Sequence, residues 1–405
     1  MRLLRTAYVI LWFPKPSETF IFNEVMELAR LGLPLRVHTL YGPLSRDLSP
    51  GMQAAPVPVE RMGVLSLPAI HAGFFHWAKR RPGLVRELVR TIPARKWCDL
   101  EAAGENAWAF LCGFHLARRF EAHGIEHIHA PWANGPATAA WVASRLTGIP
   151  FSFAAHAGDI YPPDGALAEK IRDASLVRTE NFANLAYLRE YAPEQAKKIH
   201  VVYSGHPSNE AVRAAPLRRS PCHLIALGRF VRKKGFEDLL CACAILRDKG
   251  FDFRLTLGGS GPLAGALLRF TRELRLTELV HFPGFVRYDQ VPDLLSTGDV
   301  FLMPSVVESS GDRDGIPNVI VEALRCGLPV VATDVCGIPE VIQDGSTGFL
   351  ARQHDPAAIA EAILAIARDP EKALEVAANG RDLVTRAFDL RRNCLELLQL
   401  LDDAV

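Results

Sequence analysis

Short runs of β-branched and apolar residues alternate with longer stretches of helical period through almost the whole chain, the pattern of parallel sheets covered by helices. In the first half the runs at 7–13, 35–40, 127–130, 151–156, 176–180 and 199–203 are predicted strands. In the second half the runs at 223–228, 253–258, 279–283, 300–304, 329–333 and 347–350 are. Between the two sets lie Ser204-Gly205-His206-Pro207-Ser208-Asn209 and Ala214-Ala215-Pro216-Leu217-Arg218-Arg219-Ser220-Pro221, rich in turn formers and basic residues. The domain boundary is placed there. The chain is accordingly read as an α/β protein with a Rossmann-like domain over 1–205, a second over 206–386, and a C-terminal helix over 387–405 that packs back toward the first. The halves show no fixed-period self-similarity, which excludes a repeat array. Open parallel sheets bind ligands beyond the carboxyl ends of their strands, so two such domains facing one another would hold a cleft, with the informative residues directly after strands.

Length and composition narrow this picture. At 405 residues the chain exceeds what one core usually serves, and 49% hydrophobic with 22% charged residues is a globular composition. The balance of 46 basic against 45 acidic residues gives no global field for nucleic acid, so any anion binding must be local. Eight cysteines without C-x-x-C pairs or histidines at zinc spacing read as buried thiols of a reducing cytoplasm. Arg2 and Arg5 precede the apolar run Ala7–Phe13, but that run ends at Pro14-Lys15-Pro16 without a small-residue cleavage site, so it reads as a first strand and not as a signal peptide. No apolar stretch approaches the roughly 20 residues a spanning helix needs.

The candidate chemistry lies after strands. Gly228-Arg229-Phe230-Val231-Arg232-Lys233-Lys234-Gly235 is a glycine-flanked basic loop feeding a helix at Phe236, either a phosphate cradle or a solvated basic turn. Gly259-Ser260-Gly261-Pro262-Leu263-Ala264 has the G-x-G-x-x-A form of a dinucleotide turn. The following strand, 279–283, lacks the terminal acid that a nicotinamide site requires, and a glycine turn that admits a phosphate or a base remains. His156 follows strand 151–156 with Asp159 three residues on, as a structural or as a site histidine. Asp314-Gly315-Ile316-Pro317-Asn318 leads into a helix carrying Glu322 a turn and a half inside. The pair of carboxylates can hold a sugar and a ribose at once beside free backbone N–H groups.

Taken together these segments resemble the family-four retaining glycosyltransferases of the GT-B fold. The resemblance rests on G-R-x-x-x-x-K-G at 228–235, G-x-G-P at 259–262, Phe282-Pro283-Gly284-Phe285, D-G-I-P…E-A-L at 314–324, and Leu328–Thr333 followed by Gly337-Ile338-Pro339-Glu340 and Gly345–Leu350. In the first half, Phe13–Ile21 and the His156 segment look like the exopolysaccharide branch, such as colanic acid biosynthesis glycosyltransferases. The resemblance implies two Rossmann-like domains facing across a cleft, the first on the acceptor side. It implies a hexose moved with retention from a nucleotide sugar, as substrate and with no separate cofactor, to a polysaccharide-precursor or lipid-linked glycan acceptor. Arg229 and Lys234 on the Gly228 loop would bind the diphosphate, and the turn of Gly259 and Gly261 would admit a phosphate or a base. Gly284 and Phe285 would contact the base, and Glu322 the ribose. Asp314 with the backbone of Gly315, Ile316, Pro317 and Asn318 would hold the sugar. His156 would reach the sugar from the facing domain. No acidic D-x-D cluster points to a metal. The family normally has glutamate where Asp314 stands, which raises the alternative of a catalytically silent nucleotide-sugar-binding partner.

Residues 71–97 combine Phe74, Phe75, Trp77 and Trp97 with Lys79, Arg80, Arg81, Arg86, Arg90, Arg95 and Lys96 against one acid, Glu87. They read either as an amphipathic surface for anionic membrane at the inner face or as packed helices with a solvated basic face.

Overall fold

The computed structural model describes residues 2–44, 47–91, 100–161, 163, 166–207, 217 and 220–404. The turn-rich stretch 208–216, most of 214–221, and Arg95, Lys96 and Trp97 therefore lie outside the described residues. The chain forms two compact units, one of Met1–Gly205 with Leu390–Val405 and one of His206–Asp389.

The first unit holds a seven-stranded parallel sheet in the order β3-β2-β1-β4-β5-β6-β7, with β1 Thr6–Ile10, β2 Leu35–Thr39, β3 Val59–Arg61, β4 His127–Ala130, β5 Phe151–Ala155, β6 Leu176–Thr179 and β7 Ile199–Val201. Every residue of β1, β4, β5 and β6 is buried, because helices cover both faces of the sheet. The first strand stops at Ile10, earlier than the apolar run suggests, and Leu11-Trp12-Phe13 continue as a loop toward two prolines that cannot donate to a ladder. β3 has no counterpart in the sequence reading. It is a three-residue edge strand carrying Glu60 and Arg61, without the apolar run that marks a buried strand. Cys394, Leu397, Leu398 and Leu401 of the helix Leu390–Asp403 join the core that Tyr8, Ile10, Val25 and Leu28 form. Inside this unit Arg178 of β6 pairs with Glu24, and the Tyr8 hydroxyl donates to the same carboxylate, so a buried charge is compensated on both sides.

The second unit holds a six-stranded parallel sheet in the order β10-β9-β8-β11-β12-β13, with β8 Cys222–Leu227, β9 Phe253–Gly258, β10 Val280–His281, β11 Val300–Met303, β12 Val330–Thr333 and β13 Phe349–Ala351. Numbered within the unit this is the doubly wound order 3-2-1-4-5-6, which reverses direction between β8 and β11. Ligands of such sheets bind in the crevice at that reversal, beyond the carboxyl ends. Where the chain enters and leaves this unit, His206 and Asp389 form a parallel bridge, and the His206 N–H donates to the Phe388 carbonyl at 2.8 Å.

Candidate functional site

The basic loop leaves β8 at Leu227 and closes on Gly235, which sits in the left-handed region at φ 62°. A side chain there would meet the Pro304 carbonyl at 1.8 Å, so the loop after β8 lies directly against the loop after β11. Gly259, at φ 144°, is packed equally closely, since a Cβ would stand 1.9 Å from the Gly228 carbonyl. Its N–H donates to the Gly284 carbonyl at 2.8 Å, and the Phe230 N–H donates to the Ser260 carbonyl at 2.8 Å. Gly228, Gly259, Gly261 and Gly284 are thus brought into one surface at the ends of β8, β9 and β10. Phe285 stands beside it, 38% exposed.

The cations of this loop divide. Arg229 is exposed, with no ion-pair partner among the described residues. Lys233 donates to Asp312 at 2.9 Å, and its backbone N–H donates to Glu308 at 2.9 Å. Lys234 pairs with Asp314 at 2.9 Å, and the Ser305 hydroxyl donates to the same carboxylate oxygen at 2.7 Å. Burial pushes the Asp314 carboxyl up, but Lys234, Lys233 and Ser305 outweigh it and hold the group below the usual carboxylate range. Sequence spacing could not pair residues 80 positions apart, and Ser305, a fully buried hydroxyl, carries no local signal.

This arrangement corrects one expectation. The 314 segment reads from sequence as a cleft loop outside the packed core, where Asp314→Glu would change donor preference more than stability. Instead the Asp314 and Lys234 side chains are only 10% and 13% exposed, and each neutralises the other.

The helix after this loop runs Asn318–Arg325 with Pro317 as its N-cap, and Gly315, Ile316 and Pro317 are buried. Glu322 lies just past the first turn, not a turn and a half in. Burial pushes its carboxyl up to about 7. His206, which the sequence offered only as a linker residue, stands over it. The imidazole Nδ1 is 3.9 Å from the Glu322 carboxylate, and Nε2 is 3.2 Å from the Asn318 side-chain oxygen.

His156 belongs to the first unit and is buried. Its Nδ1 is 3.0 Å from Glu180 and its Nε2 3.0 Å from the Pro131 carbonyl. Both partners only accept, so the ring holds two protons. Burial pushes it down, but Glu180, by charge and hydrogen bond, and Asp159 raise it to about 8. Asp159 accepts from the His156 N–H at 2.7 Å and from the Ala133 N–H, tying the loop after β5 to the loop after β4.

The basic segment is also only partly as the sequence suggests. Trp77 is fully buried, and Phe74 packs on Phe114 at 5.1 Å, so both aromatics serve the core. Phe75 remains outward at 49% exposure. Val64, Leu65 and Leu67 just before it are more exposed still or comparable, and Lys79, Arg80, Arg81, Arg86 and Arg90 are all exposed. No described helix is long and apolar enough to cross a membrane.

Among the described residues one group has the donor set for a metal, His38, Glu60 and His123 in the first unit. The Glu60 carboxylate already accepts from Arg119 at 3.1 Å and Arg36 at 3.0 Å, so the group reads as an ion-pair network.

Comparison with known proteins adds to this geometry. A family model described as glycosyl transferases group 1 matches residues 221–369. The protein named as a colanic acid biosynthesis glycosyltransferase, WcaL, of Escherichia coli (strain K12) is 24% identical over 98% of this chain and 100% of its own length. The amylovoran biosynthesis glycosyltransferase AmsK of Erwinia amylovora is 30% identical over 51% of each chain. Among solved structures, Anabaena HepE in complex with UDP and glucose superposes with a TM-score of 0.72 at 18% identity, covering 99% of this chain and 100% of that one. The two parallel-sheet units have the architecture of GT-B glycosyltransferases.

Proposed function

Residues 221–369 form a group 1 glycosyltransferase domain, and from that premise we propose that the chain moves a hexose from a nucleoside-diphosphate sugar to a polysaccharide-precursor or lipid-linked glycan acceptor, with retention. The observation that carries this reading is the meeting of Lys234, Ser305 and Asp314 at the reversal of the doubly wound sheet, with Arg229 on the same glycine-flanked loop as Lys234 and Glu322 on the helix that follows Asp314. The names of the full-length and half-length relatives, which place them in colanic acid and amylovoran biosynthesis, support the acceptor class.

The chemistry follows from the charges. As the bond between the sugar and the diphosphate breaks, negative charge grows on the leaving phosphate. Arg229 and Lys234 stabilise it in place, without a metal ion. Lys234 exchanges part of its Asp314 contact for phosphate oxygen, which leaves Asp314 an acceptor for a sugar hydroxyl. The leaving phosphate takes the acceptor's proton, and the acceptor oxygen attacks from the same face. Glu322 accepts from the ribose hydroxyls, while Gly284 and Phe285 contact the base.

Lys234→Ala and Arg229→Ala are expected to weaken binding of UDP or GDP at least tenfold more than binding of the bare nucleoside, because a charge-assisted bond to phosphate contributes about 1.5–3 kcal/mol. Calorimetry with each nucleoside and its diphosphate checks this. Equal losses for both ligands would remove the phosphate assignment.

The proposed place of work is the cytoplasm or the inner face of the membrane. Exposed Val64, Leu65, Leu67 and Phe75, with five exposed cations further along the same chain segment, support a surface for anionic lipid. Lys79→Glu with Arg81→Glu and Arg86→Glu should release the protein from phosphatidylserine vesicles, and salt should do the same for the wild type. Arg80 is kept because it pairs with Glu121 at 2.7 Å and lies over Trp77. Unchanged co-sedimentation of the triple variant would discard the membrane role.

A further inference from the structure

Asn318 and Glu322 stand four residues apart and so share one face of the helix Asn318–Arg325, and on that face both meet the His206 imidazole. The ring is held in place from its own backbone. The His206 N–H donates to the Phe388 carbonyl at 2.8 Å, and a side chain on the preceding Gly205 would stand 2.4 Å from the Leu390 Cα. The Asn318 side-chain oxygen, 3.2 Å from Nε2, can only accept, so Nε2 carries a proton. Nδ1 then presents its lone pair to the Glu322 carboxyl 3.9 Å away, a base set beside an acid. With 15% of its side chain exposed against 4% for the histidine, Glu322 is the one of the two that a ligand reaches.

The surrounding charges leave the carboxyl to this ring. Burial alone raises Glu322 to about 7. Arg325 is pushed down by burial and by Arg381 against the pull of Asp389 and Tyr288, and Cys326 is pushed up by burial and then by Glu322. Among the described residues His206 is the one basic group within ion-pair distance of Glu322.

We infer that His206 is a positioning residue for the ribose carboxylate, taking up at Nδ1 the proton that Glu322 gives up when ribose hydroxyls donate to it. The hydroxyls keep their own protons, the carboxyl loses one, and the Nδ1 lone pair gains one. The pair is neutral overall before and after, so ribose meets an anion whose countercharge is already beside it in a buried place. The inference rests on the ribose role given to Glu322 above. It goes beyond it by adding a residue from the chain crossing at His206, and by requiring that donor binding near neutral pH exchange little proton with the solvent.

The test is calorimetry of the full chain with UDP-glucose and GDP-mannose, whose diphosphate diesters carry no proton that titrates near neutral pH. Buffers of different ionisation enthalpy count the protons released on binding. At pH 6.5 His206→Gln, which keeps a donor for Asn318, should release roughly half a proton more than the wild type. Between pH 8 and pH 6 its affinity should fall about tenfold, as for a lone carboxyl titrating at about 7, and that of the wild type no more than about threefold. His206→Phe, which fills the same buried space with a ring that takes no proton, should behave as the glutamine variant does. In a Glu322→Gln background His206→Gln should alter neither the proton count nor the slope. Equal proton release from the wild type and both His206 variants would overturn the inference, and so would an affinity loss on His206→Gln that is the same in both backgrounds. If the wild type binds neither donor, or Glu322→Gln binds as tightly as the wild type at pH 8, the ribose assignment itself falls and the inference with it.

Discussion

Replacing Asp314 with asparagine is expected to lower kcat/KM by about two to three orders of magnitude, the usual cost of removing one preorganised polar contact from a transition state. Diphosphate affinity should stay level or rise, because Lys234 no longer has to leave a carboxylate when phosphate enters. The same change should cost roughly 3 kcal/mol of stability, since it strips the partner from a cation only 13% exposed. Steady-state kinetics, calorimetry and thermal unfolding separate the three effects. Kinetic neutrality in an active enzyme would show that the sugar-holding role is wrong. Asp314→Glu carries a stability cost too, because a side chain one methylene longer displaces either the Ser305 hydroxyl at 2.7 Å or Lys234 at 2.9 Å from a nearly closed pocket.

Glu322→Gln should move stability and binding in opposite directions. Burial raises this carboxyl from 4.5 to about 7, which corresponds to a penalty on the ionised form of about 3 kcal/mol. Because the folded value lies above the unfolded one, the stability associated with the protonated group is fully present below about 4.5 and is lost as pH rises through 7. Glutamine carries no such penalty, so the variant should be more stable than the wild type at pH 8, with the difference vanishing toward pH 4.5. The ribose hydroxyls, however, need the carboxylate as acceptor. Wild-type nucleoside affinity should fall as pH is lowered from 8 to 6, and the variant should bind about tenfold or more weakly with a flat profile. Thermal unfolding and calorimetry across this range check both halves. A sloping profile in the variant would assign the titration to another group.

The buried strands were legible because a parallel sheet covered on both faces demands continuous apolar runs, as at Phe151–Ala155 and Val330–Thr333. Val59–Arg61 was not, since an edge strand facing water is free to carry Glu60 and Arg61. The glycines of the candidate donor site were visible because Gly235 and Gly259 leave no room for a side chain against the neighbouring loop. The pairing of Lys234 with Asp314 through Ser305, and the position of His206 over Glu322, were not visible. They depend on which loops adjacent strands bring side by side, and a local pattern does not record that. The basic and aromatic residues of 71–97 suggested amphipathic helices, but their composition could not say that Trp77 is on the inner face of the helix Leu67–Arg80 and Phe75 on the outer one.

The most direct test of the account is transfer itself, measured by incubating the purified chain with radiolabelled UDP-glucose, UDP-galactose and GDP-mannose in the presence of a membrane extract containing lipid-linked glycans. One donor is expected to release nucleoside diphosphate and label the glycolipid fraction, and Lys234→Ala and Asp314→Asn are both expected to abolish the labelling. Nucleotide binding without turnover in the wild type, with turnover gained on Asp314→Glu, would contradict it and identify the chain as a silent nucleotide-sugar-binding partner.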